Sequence, residues 1–177
     1  MKEALKIIGI DPGKSGGLAV YYDGTSQAHK MPESTSRLAE WIVFQKEKGN
    51  PIVFIEKVSP WMSDSDKSNH GKQFRIQKMM SNYESLLTVL RIYMIPFVEV
   101  TPLVWQKYLN LHVKGISKTS RKNKFKKAAQ SWYPHLKVIN ATSDALCLLH
   151  FGRRKVAEDM NWVRQKAQIE EVEELPF

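Results

Sequence analysis

The order of elements legible in the sequence predicts an α/β fold, a mixed β-sheet flanked by α-helices. Three observations carry that expectation. The chain opens on a meander of short strands, then alternates helical and strand-like stretches, and two of its strands read as continuous apolar runs buried on both faces. Each of those runs ends in a carboxylate: Asp11 follows Ile7, Ile8, Gly9 and Ile10, and Glu56 follows Ile52, Val53, Phe54 and Ile55.

Lys6 to Ala19 reads K-I-I-G-I-D-P-G-K-S-G-G-L-A, a strand that Pro12-Gly13 stops at once. Proline cannot donate to a ladder, and Gly13, Gly16 and Gly17 permit a tight reversal into a second strand, Leu18 to Tyr22. Taken alone, D-P-G is ordinary turn chemistry with its Asp capping the loop. Asp23-Gly24 signals the next turn and Gln27 to Met31 a third short strand. Ser34 to Lys48 spaces Leu38, Trp41, Ile42 and Gln45 as a helix does, and Gly49-Asn50-Pro51 ends it before the strand Ile52 to Ile55.

Ser59 to Gly71, with Pro60, four serines and two aspartates, reads as an exposed loop carrying Trp61 and Met62. Lys72 to Arg91 keeps Ile76, Met79, Met80, Tyr83, Leu86, Leu87 and Leu90 at helical period, which predicts a long helix packed on the sheet, its Met and Leu stripe belonging to the core. Pro96 to Val100 reads as a strand, after which Thr101 caps and Pro102 opens a helix. Lys114 to Thr119 is a basic loop and Ser120 to Trp132 a basic helix that Pro134 terminates. Lys137 to Ile139 predicts a short strand, and Asn140 to Arg154 a helix with Leu146, Leu149 and Phe151 inside and Asp144 near its start, where the helix dipole favours a carboxylate. The expected division is one domain over residues 1–155 and a polar, acidic tail over 156–177, with Glu170 to Glu174 frayed.

A length of 177 residues fits one domain with a substantial core, and 42% hydrophobic with 25% charged residues are ordinary globular values. No apolar run approaches a membrane span, and M-K-E-A-L-K leads into a strand rather than a signal-peptide core. The single cysteine, Cys147, excludes an internal disulfide and a cysteine zinc site, fits a reducing cytoplasm, and reads as a small buried apolar residue. The net charge of +9 is concentrated: from Val100 to Ser143 there is no Asp or Glu, against eight Lys and one Arg. Trp105, Tyr108, Phe125, Trp132 and Tyr133 are interleaved with that block, the pattern of a phosphate-tracking surface. A merely solvated basic helix would carry acidic partners one turn away, and this segment offers none.

Neighbouring strands lie about 4.8 Å apart, so if the first and fourth strands pair, Asp11 and Glu56 can reach one cation. Like charges that close need a compensating ion, and hard oxygen donors select Mg²⁺ or Mn²⁺. Two such ions, about 3.5 to 4 Å apart, would activate water and stabilise the leaving oxygen of a phosphodiester. With a basic surface beside them, these acids point to metal-assisted hydrolysis of nucleic acid.

The motifs I-G-I-D-P-G from Ile8, F-I-E-K-V around Glu56, V-T-P-L-V-W from Val100 and S-D-A-L-C-L-L from Ser143 fall in this order between Ile7 and Gly152. Together they resemble RuvC-type Holliday-junction resolvases, particularly the compact phage-borne branch. The resemblance implies a ribonuclease-H-like fold, a homodimer in the cytoplasm of a bacterial cell or phage-infected host, Mg²⁺ dependence, and paired nicking of four-way DNA junctions. It makes Asp11, Glu56 and Asp144 the catalytic metal ligands. The residues expected on DNA are Lys14, Lys107, Lys114, Lys118, Arg121, Lys122, Lys124, Lys126 and Lys127, with Trp61 stacking on an unpaired base at the branch point.

One position departs from the pattern: a further acid or histidine one helical turn before the last carboxylate is replaced by Ala141. Asn140 could supply an oxygen there or simply cap the helix, whereas His150 falls roughly 240° around the helix from Asp144. A nuclease for flaps or RNA-DNA hybrids, or a junction-binding protein without catalysis, fits the same residues. A sugar-kinase or actin-like ATPase would also place D-P-G-K-S-G-G against phosphates, but needs a longer, two-lobed chain.

Overall fold

A computed structural model of the protein describes residues 5–60 and 70–168. Its elements are β1 (Lys6–Asp11), β2 (Gly17–Tyr22), β3 (Thr25–Lys30), α1 (Thr35–Glu47), β4 (Pro51–Glu56), α2 (His70–Ile92), β5 (Phe97–Val100), α3 (Pro102–Tyr108), α4 (Lys118–Trp132), α5 (Asn140–Glu158) and α6 (Met160–Lys166). The strands form one sheet in the order β3-β2-β1-β4-β5. β2 is antiparallel to both β1 and β3, while β4 runs parallel to β1 and β5 parallel to β4, so the sheet is mixed, as the sequence predicts.

The two buried strands sort their side chains by alternation. Ile8, Ile10, Val53 and Ile55 pack with Leu38 and Ile42 of α1 and Tyr83, Leu86 and Leu90 of α2. Ile7 and Phe54 face the other way, into the cluster built by Trp105 of α3, Phe125 and Ala129 of α4, and Ala145 to Leu149 of α5. Gly9 lies on that second face, where a Cβ would sit 2.3 Å from the Ala145 carbonyl oxygen. The missing side chain lets α5 lie directly on β1, and Asp144 therefore arrives at the end of that strand.

Four expectations need correction or limit. The apolar stripe of α2 is core only in its second half, because Tyr83, Leu86, Leu87 and Leu90 are buried while Phe74 and Met79 are 66% and 37% exposed. Lys137 to Ile139 is not a strand. Val138 is held instead by the Gln130 side chain, whose Oε1 accepts its N–H at 3.2 Å, and buries its side chain from an irregular segment. Residues 156–168, expected as the start of a polar tail, are helical as far as Lys166: Val163 is 1% exposed and the Gln168 N–H reaches the Phe97 carbonyl at 2.9 Å. Trp61, Met62 and the acidic run from Glu170 lie outside the described residues.

Candidate active site

Strand register brings the first two acids together. Ile10 stands opposite Ile55 in the parallel β1/β4 ladder, so Asp11 and Glu56 end adjacent strands side by side. Both continue the alternation of Gly9 and Phe54 and so face α5. The turn beyond Asp11 is closed by the Gly16 N–H on the Gly13 carbonyl at 2.8 Å, and the Gly13 N–H donates to Asp11 Oδ1 at 3.3 Å. A Cβ on Gly16 would stand 2.2 Å from the Asp11 carbonyl oxygen and 2.8 Å from its Cγ, so this carboxylate keeps its place because residue 16 has no side chain.

Asp144 comes from the second turn of α5, which starts at Asn140 behind the cap residue Ile139. The Ile139 N–H is satisfied by Thr142 Oγ1 at 3.3 Å, so Asn140 is the first helical residue and not the cap. Asp144 is buried, and both of its oxygens are engaged. Ser143 Oγ donates to Oδ1 at 2.8 Å, and the Lys122 ammonium to Oδ2 at 2.6 Å.

Burial pushes the Asp11 carboxyl up to about 6, the Asp144 charge adds to the rise, and Lys122 and the Gly13 N–H oppose it. Glu56 is pushed up to about 7 by burial and then by Asp11, against the indole of Trp105, whose Nε1 donates to Oε2 at 2.8 Å. Mutually repelling, hard oxygen donors fit a divalent cation such as Mg²⁺ or Mn²⁺, which would relieve both the burial and the repulsion. Yet among the described residues no three acid, histidine or thiol side chains are arranged to hold an ion. Both oxygens of Asp144 are engaged by Lys122 and Ser143. By donor chemistry Asp11 and Glu56 suit a hard cation, and Asp144 would join them with its lysine displaced.

The three acids line a cleft of about 780 Å³ together with Lys14, Lys118, Arg121, Lys122, Asn140 and Ala141. Lys118, Arg121 and Lys122 share one face of α4 by their spacing of three and four residues. Of the other basic residues expected on DNA, Lys107, Lys114, Lys124, Lys126 and Lys127 do not line it. Lys124 and Lys127 lie roughly 200° and 140° around α4 from Lys122; the Lys124 ammonium donates to the Asn110 carbonyl at 3.3 Å. His150 is out of reach of the acids, stacked on Trp132 with ring centroids 4.0 Å apart, and burial followed by Arg153 and Arg154 lowers it to about 4.

Two functional contacts escape the sequence reading. Trp105 is fully buried and its indole N–H orients Glu56. The available signal is that a tryptophan one turn into a core-facing helix needs a partner for that N–H. The Lys122 contact on Asp144 has no such signal, since 22 residues separate the two.

No protein-family model matches the chain, and no curated protein does. Among solved structures it is similar to RuvC of Thermus thermophilus, at 15% identity and a TM-score of 0.53, over 93% of this chain and 99% of that one. It is also similar to T. thermophilus RuvC in complex with Holliday junction substrate, at 14% identity and a TM-score of 0.54, with the same shares covered. These neighbours do not distinguish the compact phage-borne branch to which the motifs are likened. At such identity the likeness concerns architecture, and on that ground the chain has the ribonuclease-H-like α/β fold seen in RuvC.

Proposed function

We propose that the protein is a metal-dependent endonuclease that cuts branched DNA, four-way junctions foremost. One observation carries the proposal: two strand-end carboxylates and a helix carboxylate face one cleft whose other wall is the basic face of α4. Asp11 and Glu56 would hold Mg²⁺ or Mn²⁺, with Asp144 completing the set and the Asn140 amide a further oxygen donor. Such an ion supplies activation of water and stabilisation of the leaving oxygen in phosphodiester hydrolysis. Lys118 and Arg121 would hold and orient the phosphate, Trp105 fixes Glu56, and the low accessibility of Asp144 keeps bulk water from its charge.

The choice of branched DNA over other nucleic acid rests on the ordered motifs and on the neighbour whose structure contains a Holliday junction. The same reading makes the active species a homodimer in the cytoplasm, of bacterial or phage origin, because paired nicking of a four-way junction needs two centres. The exposed Phe74 and Met79 on the first half of α2 offer an apolar face for that pairing. Trp61, outside the described residues, is proposed to stack at the branch point, and Lys107, Lys114, Lys124, Lys126 and Lys127 to steer the arms from outside the cleft.

A second reading, junction binding with weak cleavage, is favoured by Ala141, which faces the cleft where the resolvase pattern has an acid or histidine. Incubation of the protein in Mg²⁺ and in Mn²⁺ with four-way, flap, RNA-DNA hybrid and linear substrates separates these readings. Symmetric nicks confined to the four-way junction are expected. Preferred cleavage of hybrid or flap would reassign the substrate, and tight junction binding without nicks in either ion would establish the second reading.

A further inference from the structure

We infer that Lys122 is a built-in cation gate: its ammonium holds Asp144 until a nucleic-acid phosphate draws it away, so the third carboxylate joins the metal centre only with substrate in the cleft. The inference rests on the metal-centre reading above and adds an order of assembly to it. The three acids differ in how far they are already committed. Among the described residues, Asp11 accepts a long bond to Oδ1 and Glu56 a bond to Oε2, whereas Asp144 has the Ser143 hydroxyl on one oxygen and the Lys122 ammonium on the other. A charge-assisted contact of 2.6 Å on a buried carboxylate competes directly with a metal ion for the same lone pairs.

The two partners are unequally free to move. The Asp144 side chain is 8% exposed and fixed on α5, while that of Lys122 is 29% exposed at the end of a flexible stem on α4. Separation therefore means that the lysine swings out. The anion that would draw it is placed by the same helix, because Lys118, one turn before Lys122, and Arg121, the residue preceding it, line the same cleft. A phosphate held by that pair comes within reach of the Lys122 ammonium. Once the lysine has left, Asp144 is an unpaired buried charge beside Asp11, and a divalent cation is the species that offsets both. Loss of the lysine and gain of the cation are thus coupled, and the coupling is reciprocal: DNA must tighten metal binding by the factor by which metal tightens DNA binding.

The test is calorimetric titration of Mn²⁺ into the DNA-free full chain, for wild type, Lys122→Met, Lys122→Gln and Lys166→Met, with thermal unfolding as the check on folding. Methionine keeps the stem without the charge, glutamine keeps a polar tip, and Lys166 is an exposed residue of α6 outside the cleft. The expected result is that both Lys122 variants bind Mn²⁺ about tenfold more tightly than wild type, or take up an additional equivalent, while Lys166→Met matches wild type. A second arm measures four-way-junction affinity with and without Ca²⁺, where the tightening seen in wild type should shrink in Lys122→Gln. Wild-type Mn²⁺ binding with unchanged affinity in both Lys122 variants would overturn the gate alone. Absence of Mn²⁺ binding in every protein would overturn the metal-centre reading, and the gate with it.

Discussion

Replacing Asp11 by Asn should make the metal-free protein more stable at pH 8, although it removes a residue the proposed chemistry needs. Burial and the Asp144 charge raise the Asp11 carboxyl from 3.8 to about 6. A shift of that size corresponds to roughly 3 kcal/mol against the ionised native state. The repulsion is shared with its neighbours and the unfolded chain keeps some of it, so about 1 to 2 kcal/mol is the expected gain from Asn. Asparagine Oδ1 still accepts the Gly13 N–H, so the turn is retained. The sign follows from proton binding: between pH 4 and 7 the native state holds protons on Asp11 and Glu56 that the unfolded chain has released. Wild-type stability therefore falls as pH rises through that window, and the Asn advantage is complete above it and absent near pH 4. Thermal unfolding in EDTA should show Asp11→Asn melting about 3 to 6 °C above wild type at pH 8, with the two converging at pH 4. Added Mg²⁺ should favour wild type, by mass action on the native state. A variant less stable than wild type by the same amount at both pH values would refute the electrostatic argument.

Trp105→Phe removes the donor that opposes the rise of Glu56 above its usual range; the acidic limb of the cleavage pH profile should move up by as much as about one pH unit, and an unmoved limb would separate Trp105 from Glu56 function. Lys118→Ala and Arg121→Ala should each flatten the slope of log junction affinity against log salt by about 0.9, with an unchanged slope placing the phosphate contacts elsewhere. Ala141→Asp restores a carboxylate to the cleft and should lower the Mg²⁺ concentration needed for half-maximal cleavage several-fold. If the Mg²⁺ requirement stays as it was, the alanine is not what limits the site.

The strands and their acids were readable because local rules dictate them. Continuous apolar runs mark buried strands, and Pro12-Gly13 fixes where β1 ends, so Asp11 had to stand at the lip of the sheet. Pairing of β1 with β4 was only a condition in the sequence, since parallel register depends on how α1 crosses over. Periodicity also overreached. The stripe of α2 continues through Ile76 and Met79, but a helix buries a stripe only where another layer covers it, and in the first half of α2 Met79 stays exposed while Met80 is only partly buried against the core. The basic block from Val100 to Ser143 is plain in the sequence, yet its composition could not sort Lys122, which faces Asp144, from Lys124 and Lys127 on other faces of the same helix. That sorting depends on how α4 rolls against α5, a tertiary choice made by Phe125 and Ala129.

Mn²⁺ anomalous scattering from crystals of the DNA-free protein tests whether Asp11 and Glu56 are metal ligands. The expected result is a peak bonded to one oxygen of each carboxylate at about 2.1 to 2.2 Å, retained at lower occupancy in Glu56→Gln and lost in Asp11→Asn. Crystals soaked in millimolar Mn²⁺ that show no peak between these two residues, or a peak that persists in Asp11→Asn, would contradict it.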